Sequence, residues 1–378
     1  MTPDMQSTLT VHMLKLALLF TFVLATHQAQ ANEWQSYGKY EANYTYMSSQ
    51  THIGTASARL MAAKGELQLH LQARFQHANT SLQPIPASQF QITSLAVDEQ
   101  KPQQQSLAAI DRLNYAIYTD QATWIIGRQA ISLGQSYFFN PLALGSAASV
   151  PSLDAEYQRG IDAVSGDIWL DNGNLQLVMA LGNDQDSDGA NWRGSALLAR
   201  YTSQWLGNEL ALQAGKIYGA YQFGAGISGD TNGVSYRLEA ATTKPLSDMQ
   251  LGDSFTNWVA GLGYQANDNL HMEVEYLHNG AANHASFAIT RYLKGLSLSS
   301  NKAVTAASIS YQFVPLVQGQ WTEFYALTDD SQLGILALSY NASDNATLAL
   351  SWQLTQGISN SQYGQLPETV ALTFRDYF

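Results

Sequence analysis

The chain has 378 residues, of which 46% are hydrophobic and only 13% charged, with a net charge of -12 and no cysteine. That charge content is about half of what soluble domains carry, which excludes an ordinary cytoplasmic enzyme. A single apolar helical run and a mean hydropathy of -0.16 exclude a polytopic helical membrane protein, which needs several apolar stretches of about 20 residues. The acidic balance argues against nucleic acid as a partner. The missing cysteines remove disulfides, thiol catalysis and cysteine-ligated metal.

Residues 1–31 read as a signal peptide. Lys15 precedes the apolar stretch 16–25, and Ala29-Gln30-Ala31 supplies the small residues of a cleavage site. The segment before Met13 is polar, so Met13 competes with Met1 as the start.

From 32 to 378 the pattern has a period of two. Leu67, Leu69, Leu71, Ala73 and Phe75 alternate with Glu66, Gln68, His70, Gln72, Arg74 and Gln76. Val234, Tyr236, Leu238 and Ala240 alternate in the same way with Ser235, Arg237, Glu239 and Ala241. Leu270, Met272, Val274 and Tyr276 do so with His271, Glu273 and Glu275, and Leu348, Leu350, Trp352 and Leu354 repeat the pattern near the C-terminus. Such alternation predicts half-buried strands.

Eighteen strands are predicted, at 34–47, 55–63, 66–78, 109–119, 123–133, 160–170, 175–183, 195–204, 209–219, 221–230, 234–243, 256–266, 270–279, 302–313, 320–329, 333–342, 347–357 and 368–378. Every second connection is short and carries turn residues such as Lys64-Gly65 or Thr231-Asn232-Gly233. The intervening ones include long loops at 79–108, 134–159, 244–255 and 280–301. A soluble sandwich has no reason to keep that parity, whereas a closed antiparallel transmembrane β-barrel does. Segments 221–230 and 320–329 alternate poorly, which leaves sixteen strands as the alternative. Tyr44, Tyr46, Trp205, Trp258, Tyr264, Tyr311, Phe313 and Tyr340 fall at strand ends, where interfacial aromatics belong.

The last residues, Val370-Ala-Leu-Thr-Phe-Arg-Asp-Tyr-Phe378, resemble the signal read by the barrel-assembly machinery of Gram-negative bacteria, with Asp376 as a departure from it. A second stretch runs from Gly127-Arg128-Gln129-Ala130-Ile131-Ser132-Leu133-Gly134 through Phe138-Phe139-Asn140-Pro141 to Asp154-Ala155-Glu156-Tyr157-Gln158-Arg159-Gly160-Ile161-Asp162-Ala163. It is similar to one in porin-like and alginate-export-like outer-membrane barrels. The resemblances imply the bacterial outer membrane, with its lipid, lipopolysaccharide and assembly machinery as partners. A homo-oligomer is compatible with the same pattern.

In such a barrel the polar face lines a lumen. Parity predicts that Arg59, Arg74, Arg112 and Arg128 point inward on the second to fifth strands, and that Glu273, Glu275 and Glu323 do so about half the circumference away. Opposed charges set up a transverse field that sorts solutes by charge, an arrangement that resembles the constriction of general porins. The competing reading pairs each Arg with a local acid. The loop 135–159, with its apolar middle 142–150, is expected either to fold into the barrel or to cap its mouth.

Asp184-Gln185-Asp186-Ser187-Asp188-Gly189 has the spacing of a calcium loop, but its twelfth position is Ser195, not an acid. No metal or other cofactor is expected. His70, His271, His278 and His284 sit in no nucleophile or zinc motif, so an enzyme is not expected either. The sequence therefore predicts a porin-like channel for passive diffusion of small hydrophilic solutes, anionic or saccharide. The alternatives are a surface glycan-binding or adhesive barrel without an open channel and, behind it, an outer-membrane lipid hydrolase.

Overall fold

The computed structural model describes residues 34–82, 90–92, 95–144, 158–184, 189–247, 249, 251–283, 291–292 and 295–378. The expected signal peptide, His284 and most of the calcium-like segment lie outside them.

Among the described residues nineteen strands follow one another. The first nine are β1 (Gln35–Met47), β2 (Thr51–Lys64), β3 (Leu67–Ala78), β4 (Ala96–Lys101), β5 (Gln104–Tyr118), β6 (Ala122–Gln129), β7 (Ile161–Leu170), β8 (Gly173–Ala180) and β9 (Ala196–Trp205). Next come β10 (Asn208–Ile217), β11 (Ala220–Thr231), β12 (Val234–Pro245), β13 (Phe255–Asn267) and β14 (Leu270–Asn279). The last are β15 (Ala303–Val314), β16 (Val317–Ala326), β17 (Ser331–Asn341), β18 (Ala346–Gln356) and β19 (Thr369–Tyr377). Neighbours pair antiparallel, and β1 pairs with β19 from Lys39 opposite Tyr377 to Met47 opposite Thr369, so the sheet closes on itself. Closure is what a bilayer demands, since no water is there to satisfy an edge strand.

Eighteen strands make the wall. The extra one, β4, lies in the segment expected to be a loop: it pairs with residues 104–109 of β5, above the point where β6, pairing with 113–118, stops short. Segments 221–230 and 320–329 are both strands, which removes the sixteen-strand alternative. Their weak alternation has a cause inside the barrel. Leu142 packs on Gly224 of β11, and Phe324 of β16 meets Phe138 and Phe139, so small and apolar residues occupy inward positions that are usually polar.

Cross-strand pairing fixes the two faces. Leu69 stands opposite Leu113, and the exposed Leu350 opposite the exposed Leu372, on the outside. Gln68 and His70 stand opposite Asn114 and Arg112 on the inside. Both described ends of the chain lie at one rim, the turn end, together with short turns such as 65–66, 206–207 and 232–233, while the opposite rim carries the longer loops and the short connections 48–50, 218–219 and 327–330. At the turn end Asn232 and Gly233, both at positive φ, make the tight two-residue hairpin between β11 and β12. Phe378 exchanges backbone hydrogen bonds with Gly38 at 2.9 and 3.0 Å and stacks on Tyr40 with ring centroids 4.6 Å apart. Its ring lies where a Cβ on Gly38 would stand, so glycine is required at that contact.

Candidate functional site

The interior is asymmetric. After β6 the chain does not climb to the rim but turns into the barrel, and the signature stretch 127–163 contains the parts that make it do so. Gly127 adopts φ +117 against Leu113 O. Arg128 is only 5% exposed and donates from Nε and Nη2 to Asp162 Oδ1 and Oδ2 at 2.7 and 2.9 Å, and from Nη1 to Ile110 O at 3.3 Å. Gln129 donates to Ala163 O at 3.1 Å and accepts from Ser165 Oγ at 2.7 Å. Asn140 closes the bend, donating to Leu133 O and accepting from Leu142 N.

The residues that follow, 131–144, lie against β10 to β16. Gln135 N donates to Glu239 Oε1 at 2.8 Å and Ser136 Oγ to Glu239 Oε2 at 2.6 Å. The backbone N–H groups of Tyr137, Phe138 and Phe139 converge on Glu275 at 2.5, 2.8 and 3.1 Å. Gln213 and Gln222 donate to Leu142 O and Pro141 O. Of the two expected positions for this loop, inside the barrel or over its mouth, the structure selects the inside; residues 145–157 lie outside the described ones.

Around this segment two apolar clusters fill one side of the interior. The first joins Phe90, Ile131, Leu133 and Leu144 to Val178, Leu198, Ile217 and Leu251. In the second, Phe139 packs with Val259, Leu277, Leu298, Phe324 and Tyr363. The loops at this end are tied by further polar contacts. Arg291 is fully buried and donates to Leu251 O and Ala281 O, while burial lowers its pKa. Asp329 accepts from Ser331, Asn301 and Gln362. Burial raises its carboxyl, but those hydrogen bonds outweigh it and hold the pKa below the ordinary value.

Among the described residues no such cluster lies on the opposite arc, β19, β1, β2, β3 and β5, and the side chains of β2 stay part-exposed along nearly the whole strand. Its inward positions include Lys39, Arg59, Arg74, Arg112 and Arg375, with Glu41 as the acid among them and Asp111 at a bulge opposite His70 and Leu71. Arg375 Nε donates to Glu41 at 2.8 Å, and Arg112 Nη2 to Gln158 O at 3.0 Å. None of the five cations is without a local contact, yet together they outnumber the acids of the arc.

Arg59, Arg74 and Arg112 therefore occupy inward positions on one arc, and Glu273 and Glu275 do so on the other. Two placements correct the sequence reading. Glu323 lies opposite Ala307, on the outward face beside Trp321, because its neighbour Phe324 takes the inward position against Phe138. Arg128 lies opposite the exposed Leu113 and is set within the wall by Asp162, so it does not line the lumen.

Sequence reasoning also passed over Lys39, Arg200, Glu209, Arg237, Glu239 and Arg375, although period-two parity already places Arg237 and Glu239 on the polar face of their strand. Arg237 reaches Glu273 across β13, with Nη1 at 2.9 Å and Nη2 at 3.0 Å. The intervening inward residues are Gly261 and Gly263, and a Cβ on Gly261 would lie 2.8 Å from Glu275 Cγ and 3.1 Å from Arg237 Cγ.

Among the described residues no group of three or more potential metal ligands is present. Of the calcium-like stretch, Asp184 is described, and it accepts from Asn191 Nδ2 at 2.8 Å.

No protein-family profile and no curated protein matches the sequence. Solved structures do match in fold. The outer membrane protein opdK of Pseudomonas aeruginosa has a TM-score of 0.58 at 10% identity, the alignment covering 92% of this chain and 99% of that one. OccK5 (OpdH) of the same organism gives 0.59 at 9%, covering 92% and 98%. OccAB2 of Acinetobacter baumannii gives 0.57 at 12%, covering 91% and 98%. At these identities the likeness is one of fold.

Proposed function

We propose that this protein is a porin-like channel of the bacterial outer membrane, through which small hydrophilic solutes diffuse passively and anions pass in preference to cations. One observation carries the reading: the inward loop is docked on the acidic side of the lumen, so the arc holding Lys39, Arg59, Arg74, Arg112 and Arg375 is left facing the remaining space. A solute in that space meets a wall of net positive sign. Arg suits this wall because its guanidinium stays charged and offers several donors to carboxylate or phosphate groups. The likeness in fold to an outer membrane protein supports the location, as do the apolar outer band and the exposed Trp205, Tyr264 and Tyr311 near its turn end.

The test is reversal potential in a salt gradient, with the refolded chain in planar bilayers, together with swelling of liposomes in sugars and organic anions. Anion-selective conductance supports the proposal, and cation selectivity overturns its charge assignment. The packed apolar clusters fill one side of the loop end, so the same bilayer measurement also tests whether they close the passage. Intact insertion with no conductance would overturn the channel reading.

A further inference from the structure

An irregular segment laid against a sheet brings its own N–H and C=O groups, and the surface beneath must satisfy both kinds. The inward side chains of β10 to β14 do this in an ordered way. Gln213 and Gln222 are donors to the carbonyls of Leu142 and Pro141. Glu239 is the acceptor for Gln135 N, Ser136 N and Ser136 Oγ, and Glu275 for three consecutive backbone N–H groups, 137 to 139. Glu239 is 2% exposed and Glu275 is 0% exposed, so neither presents its charge to a solute.

We propose that Glu239 and Glu275 are positioning residues, which fix segment 131–144 against one wall and thereby set both the width and the sign of the passage. The inference rests on the channel reading above and deepens it. A carboxylate fits the task because it is acceptor-only, with about four lone-pair sites on two oxygens. An amide has one oxygen and would turn its NH2 toward the row of N–H donors. The charge is compensated nearby by Arg237, 3.5 Å from Glu275 and doubly bonded to Glu273. The acids of this wall are thus engaged, Glu239 and Glu275 by the segment and Glu273 by Arg237, and the basic arc faces the remaining space.

The experiment compares the refolded full chain with the Glu239→Gln/Glu275→Gln double variant, each single variant, and Asp344→Asn at a turn as a charge-removal control. Amide hydrogen exchange of the peptide 133–144 reads the anchoring directly. Swelling of liposomes in sugars of graded size reads the width, and reversal potential reads the sign. The double variant should exchange at 137–139 about ten- to a hundredfold faster, the scale of losing charge-assisted hydrogen bonds. It should also admit larger sugars and shift its reversal potential, while Asp344→Asn changes none of these.

If the parent chain conducts and the double variant shows the same exchange and size limit, the positioning role is overturned and the channel reading stands. If the parent chain does not conduct but exchange still rises in the double variant, the anchoring stands and the channel reading falls. Should the double variant fail to insert, exchange in the single variants decides: acceleration confined to residues 137–139 in Glu275→Gln supports the assignment, and none in either overturns it.

Discussion

Replacing Arg128 with Gln removes two charge-assisted donors, at 2.7 and 2.9 Å, from Asp162, in a place where the Arg side chain is 4% exposed and the Asp side chain 15%. Breaking a buried pair by deleting one partner costs about 3–5 kcal/mol, because the remaining charge stays desolvated. The lower end applies here, since Asp162 Oδ2 still accepts from Ile92 N at 3.0 Å. A loss of about 3 kcal/mol is a shift of more than a hundredfold in the folding equilibrium. Urea unfolding in lipid vesicles, followed by tryptophan fluorescence, measures it. Adding Asp162→Asn should recover part of the loss by removing the stranded charge. Reversal potential should not move, because Arg128 lies within the wall. A destabilisation below about 1 kcal/mol would refute the buried-pair argument, and a changed selectivity would refute the placement.

The basic arc makes the complementary prediction. Each of its cations contributes only about 1 kcal/mol to an ion 4 Å away in water, so Arg59, Arg74 and Arg112 changed together to Gln should move the reversal potential toward cations while conductance changes modestly. On the outer face, Leu69→Arg should cost about 2–4 kcal/mol at the bilayer midplane and Gln68→Arg almost nothing, a contrast that vesicle unfolding reads directly. Deleting Phe378 removes the stack on Tyr40 and two backbone hydrogen bonds to Gly38 at the closing seam. It should lower outer-membrane insertion far more than deleting a polar residue from the loop at 281–290, and equal surface levels would count against the seam's role. Asp329 is held below its ordinary pKa of 3.8, so what it contributes is complete above that value and lost as pH falls through the lower folded one. Segments 295–302 and 357–366 should therefore stay protease-resistant at neutral pH and loosen only below about pH 4, while Asp329→Asn loosens them at pH 7.

Much of this architecture was legible along the chain because a strand's two faces follow from backbone geometry alone. Leu67 to Phe75 and Leu348 to Leu354 declare an apolar outside with no knowledge of their partners, and turn residues mark where the alternation restarts. Parity also placed Arg74, Arg112, Glu273 and Glu275, it set Arg237 and Glu239 on the polar face of their strand without singling them out, and applied to the last strand it would have placed Arg375. It failed where the alternation itself is broken by what lies inside the barrel. Glu323 was assigned inward as a charge, but Phe324 takes that side because Phe138 is there to meet it.

The sequence by itself determined a closed antiparallel barrel and the faces of most of its strands, since both are written in a local period of two and in the lengths of the connections, while the choice of eighteen wall strands over sixteen came from the structure. Tertiary structure alone decided that the loop after β6 lies inside the barrel, that β4 sits above the end of β6, and that Arg128 is locked to Asp162. The contacts that settle the loop join Gln135 to Glu239 and Phe139 to Glu275, 104 and 136 residues apart in the chain. Partners so far apart leave no periodic trace in either segment, and only closure of the wall brings them within hydrogen-bonding distance.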